Sequence, residues 1–218
     1  MAYSKVSIVR ASPDHSQFLA RAILAASRSQ LPRGPFDLAL ELNDADLLDI
    51  LEWMALSDLV SNCHFSKFLV AELDGAPAGA LAAFDPAEHD LLPVGAAMSD
   101  AYGGLGHDEG GLPQIMGRIE ALHRCFPAAS PGTWTVEWVA VEGQHRRHGI
   151  CSRLMDAILA EGAARTLRKA QISTYIGNDA AIAAYERAGF RTAQERRDPA
   201  FSDLLGVPGM VTLMRDLP

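Results

Sequence analysis

The chain has 218 residues, 49% of them hydrophobic and 21% charged, a balance that supplies a buried core and excludes the polar, charge-rich composition of a disordered chain. A formal net charge of -8 argues against a general nucleic-acid binder, and no apolar run reaches the length of a bilayer span or of a secretory signal. The three cysteines, Cys63, Cys125 and Cys151, are odd in number and far apart, so free thiols in a reducing cytoplasm are expected and a metal site is not.

Lys5 to Arg10 alternates polar and apolar residues as a half-buried strand does, and Ser12-Pro13 then opens a helical pattern in which Phe18, Leu19, Ala22, Ile23 and Ala26 share a face. A second helical stretch, about Asp44 to Leu59, repeats Leu47, Leu48, Leu51, Met54 and Ala55 at helical spacing. Lys67 to Leu73 and Ala76 to Phe84 read as two strands joined by Asp74-Gly75, a hairpin signal because both turn positions tolerate positive φ. From 85 to 132 the pattern loosens around Gly103-Gly104, Gly106 and Gly110-Gly111, with one helix, Leu112 to Phe126. Thr133 to Glu142 is a β-branched and aromatic strand, followed by a basic turn and an amphipathic helix to about Arg165. A strand from Ala170 to Ile176, a helix from Asp179 to Ala188 and a last pair of strands, Phe190 to Arg196 and Gly209 to Arg215, complete the chain. The order predicts an α/β (α+β) fold with a mixed, mostly antiparallel sheet flanked by helices. A single domain over 1–218 is expected, with 85–132 as a helical and loop insertion before the fourth strand.

Charge is unevenly spread. No Lys or Arg occurs between Lys67 and Arg118, whereas Glu72, Asp74, Asp85, Glu88, Asp90, Asp100, Asp108 and Glu109 all fall there. The stretch His145 to Lys169 is locally basic.

The basic turn Arg146-Arg147-His148-Gly149-Ile150-Cys151 lies between a strand and a helix, where unpaired amides and the helix dipole attract phosphate. Gly149 lacks the Cβ that would keep a diphosphate from the backbone. Arg146-x-x-Gly149-x-Cys151 resembles the pyrophosphate signature of the GNAT superfamily of acyl-CoA-dependent N-acyltransferases, with Cys151 where that family has Gly or Ala. Read without the resemblance, the same residues form a solvated basic turn. The chain has no Gly-Lys-Ser or Gly-Lys-Thr of a Walker-type loop.

Asn178, Ala181-Ile182, Tyr185 and Gly189-Phe190 look like the second GNAT signature, and the two together span Val136 to Phe190. A structural account is also available, in which Asn178 caps a helix, Gly189 ends it and Tyr185 is a core aromatic. The resemblance implies that Arg146, Arg147, His148, Gly149, Ile150, Cys151 and Ser152 hold the diphosphate and that Asn178 meets the pantetheine arm of acetyl-CoA. It further implies that Val139 and Val141 offer backbone partners along their strand and that the Tyr185 hydroxyl lies near the thioester sulfur, where a phenol of pKa about 10 can protonate a departing thiolate. Glu137 is the best-placed base, since strand parity puts it on the face of Val139 and Val141 and Glu142 on the other; a water molecule is the alternative.

Direct attack of an amine on the thioester follows as the expected reaction. The acidic stretch has two readings, a lining of the acceptor entrance that draws in a cationic amine or a solvated face. The acceptor expected is a primary amine of a small or amino-acid-like molecule, with a peptide N-terminus or lysine as the alternative. A homodimer is compatible with the sequence, while nucleic acid, membrane and metal are not expected partners. The competing class is a CoA-binding sensor that keeps the fold without transfer. A channel reaching Tyr185 from the side opposite the diphosphate would discriminate between the two.

Overall fold

The computed structural model describes residues 5–88 and 91–218, and of Glu109, Ala121 and His123 the backbone only. Its strands are β1 (Val6–Arg10), β2 (Phe68–Leu73), β3 (Ala76–Phe84), β4 (Thr133–Val141), β5 (Lys169–Tyr175), β6 (Arg191–Arg197) and β7 (Gly209–Asp216). They form one sheet in the order β1-β2-β3-β4-β5-β7-β6, with every neighbouring pair antiparallel except β4 and β5. Asp74 and Gly75 both take positive φ, 52° and 86°, as the β2–β3 hairpin turn demands.

Among the described residues the helices are α1 (Ser16–Arg28), α2 (Pro35–Leu40), α3 (Asp44–Leu56), α4 (Val94–Gly104), α5 (Leu112–His123), α6 (Ile150–Ala164), α7 (Asp179–Arg187) and α8 (Pro199–Leu205). Helices α1 to α5 cover one face of the sheet, burying Leu19, Ile23, Leu51 and Met54 against Val70 and Ala80. Helices α6 and α7 cover the other, where Leu154, Ile158 and Tyr185 meet Trp134, Val136 and Ile172. Helix α8 joins α5 over Tyr175 and Met210. No described helix is long and apolar enough to cross a membrane.

The insertion differs from expectation by forming two helices. Gly103-Gly104, read from sequence as a loop, is the last turn of α4. A Cβ at Gly104 would stand 2.5 Å from the Trp53 ring, so the missing side chain lets α4 close on α3, and Trp53 Nε1 donates to Asp100 Oδ2 at 2.9 Å. Ala97, Met98 and Ala101 of α4 and Ile115 of α5 enter the core shared by α1 and α3. The insertion thereby becomes a wall above the end of β4.

Helix α6 is seated on β4 by a comparable device. Trp134 Nε1 donates to the Ile158 carbonyl at 2.8 Å, and a Cβ at Gly162 would stand 2.6 Å from the Trp134 ring. This contact fixes the helix whose first turn carries the basic segment.

Candidate functional site

Strands β4 and β5 pair only from Thr133 opposite Lys169 to Val136 opposite Ile172. Beyond Val136 they separate, and the remaining length of β4 has no strand on that side. On its other side β4 pairs Glu137 with Ala82 and Ala140 with Ala80, so Trp138 and Val139 together oppose Leu81 in a β-bulge. Trp138 takes φ 55°, which for a bulky residue costs on the order of 1–3 kcal/mol, and its ring packs on Phe36 with centroids 5.8 Å apart.

The bulge resets the alternation of side chains. Trp138 and Ala140 pack toward α1 and α3, whereas Val139 and Val141 pack toward α6. Glu137 accepts a hydrogen bond from Asn62, whose neighbour Cys63 lies in the α1–α3 core. Strand parity had placed Glu137 on the face of Val139 and Val141; the extra residue puts it on the opposite one.

A cleft of about 880 Å³ runs through the gap between β4 and β5, with walls drawn from both faces of the sheet. On the α6 side it is lined by Val139, Val141, Arg146, Arg147, Gly149, Ile150, Cys151, Ser152 and Tyr185. Gly149 takes φ 77° immediately before α6, no side chain caps the helix, and a Cβ at Gly149 would meet nothing within 4 Å. The uncapped first turn of α6 therefore borders the cleft, where the helix dipole favours an anion.

Tyr185, only 7% exposed, reaches the same cleft, and its hydroxyl has no hydrogen-bond partner among the described residues. Burial, and then the nearby Cys151, push its phenol above the ordinary range, so it stays protonated at neutral pH. On the other face of the sheet, burial pushes the Glu137 carboxyl up to about 7, while the Asn62 amide acts in the opposite direction. A phenol and a carboxyl with raised pKa thus line one cleft from opposite sides of a split sheet.

The sequence pattern of the Acetyltransferase (GNAT) family matches residues 35–190, most of the chain. The chain belongs to the GNAT acetyltransferase family. It is therefore an acyl-CoA-dependent N-acyltransferase. No curated protein sequence matches it. Among solved structures, an acetyltransferase aligns with TM-score 0.69 at 18% identity, over 97% of this chain and all (100%) of the other. An N-acetyltransferase from Staphylococcus aureus Mu50 aligns with TM-score 0.64 at 18% identity, over 95% and 99%. A mutant agmatine N-acetyltransferase in its apo form aligns with TM-score 0.57 at 15% identity, over 97% and 99%. At such identities the likeness establishes the GNAT fold alone.

Within this GNAT enzyme most of the residues expected from sequence line the cleft, and His148 does not: its Nδ1 lies 2.9 Å from the Arg146 carbonyl. Arg146 also turns back, its Nε donating to the Val141 carbonyl at 3.1 Å. Asn178 lines the cleft with its amide already engaged. It caps α7 by accepting from Ala181 N at 3.3 Å and donates to Ser29 Oγ at 2.6 Å and Thr174 Oγ1 at 2.9 Å, tying α7 to the end of α1. Burial pushes the Cys151 thiol up, and all three cysteines are free.

Among the described residues, none of the acidic stretch lines the cleft. Glu72 pairs with His15 and Glu88 with Lys67 and Arg165, while Asp100 accepts from Trp53 and Ser57. Asp74 accepts the Lys5 amide, and Asp85 and Asp108 accept amides two positions on, those of Ala87 and Gly110. Asp90 and the Glu109 side chain lie outside the described residues. The insertion instead turns apolar Val94, Met98, Ile119 and Leu122 toward the cleft.

Sequence reasoning also missed Asn62 and Arg187. Asn62 sits in an irregular loop with no periodic signal. Arg187 follows Tyr185 by two positions at the end of α7, and its charge acts on Cys151.

Proposed function

We propose that this GNAT enzyme transfers the acetyl group of acetyl-CoA to a primary amine by direct attack. The observation that carries this reading is the single cleft joining the uncapped amides at Gly149 to Glu137 through the gap between β4 and β5, with Tyr185 on its wall.

In this reading the amides of Gly149 to Ser152, with Arg146 and Arg147, hold the diphosphate of the co-substrate. The unpaired length of β4 receives the pantetheine arm as an added strand would be received, with Val139 and Val141 supplying backbone groups. The thioester carbonyl then lies between Tyr185 and Glu137. The amine nitrogen forms the new C–N bond while the C–S bond breaks. The amine proton passes to Glu137, directly or through one water, and Tyr185 gives its hydroxyl proton to the departing thiolate. The Val139 amide, beside the bulge, donates to the carbonyl oxygen as negative charge develops there. Asn178 holds α7, and so Tyr185, against the end of α1.

A wall drawn from both faces of the sheet, with room beyond Glu137 for a second molecule, supports transfer over a sensor, because a sensor needs no acceptor chamber. The three free thiols support a reducing, cytoplasmic setting. Calorimetric titration with acetyl-CoA, followed by an amine panel read out as free thiol, tests the proposal. Saturable binding and amine-dependent thiol release are expected; failure to bind acetyl-CoA overturns it, and binding with no thiol release on any amine replaces it with the sensor.

A further inference from the structure

The half of the cleft beyond Glu137, between α1, α2, α4 and α5, has a composition of its own. Phe36, Val94, Met98, Ile119, Leu122 and Phe126 contribute large apolar side chains to its wall. Glu137 is the only carboxylate among the described residues lining the whole cleft. The cations of the cleft, His145, Arg146, Arg147 and Arg187, belong to the phosphate turn and the end of α7, and no described Lys, Arg or His lines the far half. Of the polar groups there, Gln171 donates to the Ala128 carbonyl at 3.4 Å, Ser173 Oγ meets Thr212 Oγ1 at 3.3 Å and Asn62 donates to Glu137, while the buried Ser27 Oγ and Trp138 Nε1 have no hydrogen-bond partner among the described residues and leave an uncharged acceptor body one or two polar contacts.

We infer that the acceptor is a monoamine carried on an uncharged apolar body, such as an arylalkylamine, whose nitrogen is received by Glu137 and Asn62 and whose body lies in this chamber. The inference rests on the acyl-transfer reading above and narrows it. An acceptor bearing a carboxylate, such as a free amino acid, would lose its hydration there and find no counter-charge. A dication would bring a second ammonium into an apolar wall that offers it no carboxylate. The described acidic side chains of the insertion do not supply one, because none of them lines the cleft. An uncharged apolar body gains from leaving water, methylene by methylene.

The test is kcat/KM at saturating acetyl-CoA for n-alkylamines from propylamine to hexylamine, and for 2-phenylethylamine, phenylalanine and agmatine. Each added methylene is expected to raise kcat/KM about four-fold while the chain still fits the chamber. 2-Phenylethylamine is expected to exceed both phenylalanine, the same body with a carboxylate, and agmatine, a dication, by at least about ten-fold. A flat alkyl series, or a preference for phenylalanine or agmatine, overturns the inference and leaves acyl transfer standing.

Val94→Glu places a second carboxylate in the wall at the first residue of α4, where the helix dipole favours one. It is expected to shift the ratio of agmatine to 2-phenylethylamine about ten-fold toward agmatine; an unchanged ratio counts against the placement of the acceptor body. Titration of 2-phenylethylamine into the enzyme saturated with CoA separates the two levels. Heat of binding with no turnover of any amine supports the chamber and sinks the transfer reading.

Discussion

Replacing Glu137 by glutamine keeps the shape of the side chain and a partner for Asn62 but removes the titration. In the wild type, burial raises this carboxyl from an ordinary 4.5 to about 7. Between those values the folded protein holds a proton that the unfolded chain has released, so stability falls as pH rises through the window. That gap corresponds to about 3 kcal/mol, present below pH 4.5 and lost above about 7. Urea denaturation of both proteins in steps from pH 4 to 8 should show the glutamine variant gaining about 3 kcal/mol relative to the wild type over that range. The same group sets the activity profile. Wild-type kcat/KM should rise about ten-fold per pH unit below 7 and level above it, while the variant loses this limb and about 10²- to 10⁴-fold in rate. Parallel stability curves, or an unchanged activity profile, would refute the reasoning. Since the Asn62 amide holds the carboxyl down, Asn62→Ala should move the activity midpoint to higher pH.

Tyr185→Phe should cost about 10²- to 10⁴-fold in turnover and leave acetyl-CoA affinity, measured by calorimetry, nearly unchanged. Because the hydroxyl has no hydrogen-bond partner among the described residues, the unfolding free energy should move by less than about 1 kcal/mol; a larger loss would mean that the tyrosine is structural. Gly149→Val imposes a β-branched side chain at φ 77° and sets it before the uncapped amides, so acetyl-CoA affinity should fall at least about ten-fold for a stability cost of about 1–2 kcal/mol. An unchanged dissociation constant would detach the turn from phosphate binding. Gly162→Ala drives a methyl to 2.6 Å from the Trp134 ring and should destabilise by about 1–3 kcal/mol, seen as a lower Tm, with acetyl-CoA affinity falling as α6 shifts; an unaltered Tm would show that the ring can yield.

Features written in local chemistry were legible in the sequence. The hairpin at Asp74-Gly75, the left-handed Gly149 before a helix and the capped segment from Asn178 to Gly189 each depend on neighbours a few positions away. The bulge at Trp138 does not, because its left-handed backbone is held by Phe36 from a distant helix, and with it went the face assigned to Glu137. Helix α4 was hidden by Gly103-Gly104, whose weak helix preference is overridden by the approach of Trp53. Helix α8 did carry a signal, the capping Asp198 before Pro199 and the left-handed Gly206 at its end, in a stretch too short for periodicity. Of the two readings of the acidic stretch, composition could not choose, because it counts charges without their partners: Glu88, distant in sequence from Arg165, is beside it in space.

The separation of β4 from β5 has a consequence for solubility. An unmatched strand margin is adhesive, and on the outside of a sheet it invites fibril-like pairing with other molecules. Here the bare stretch of β4 lies inside the cleft, between the helices that cover the two faces of the sheet. Of the two outermost strands, β1 and β6, the latter is guarded by Arg191, Glu195, Arg196 and Arg197. The fold therefore keeps a sticky edge for small molecules while denying it to its own kind.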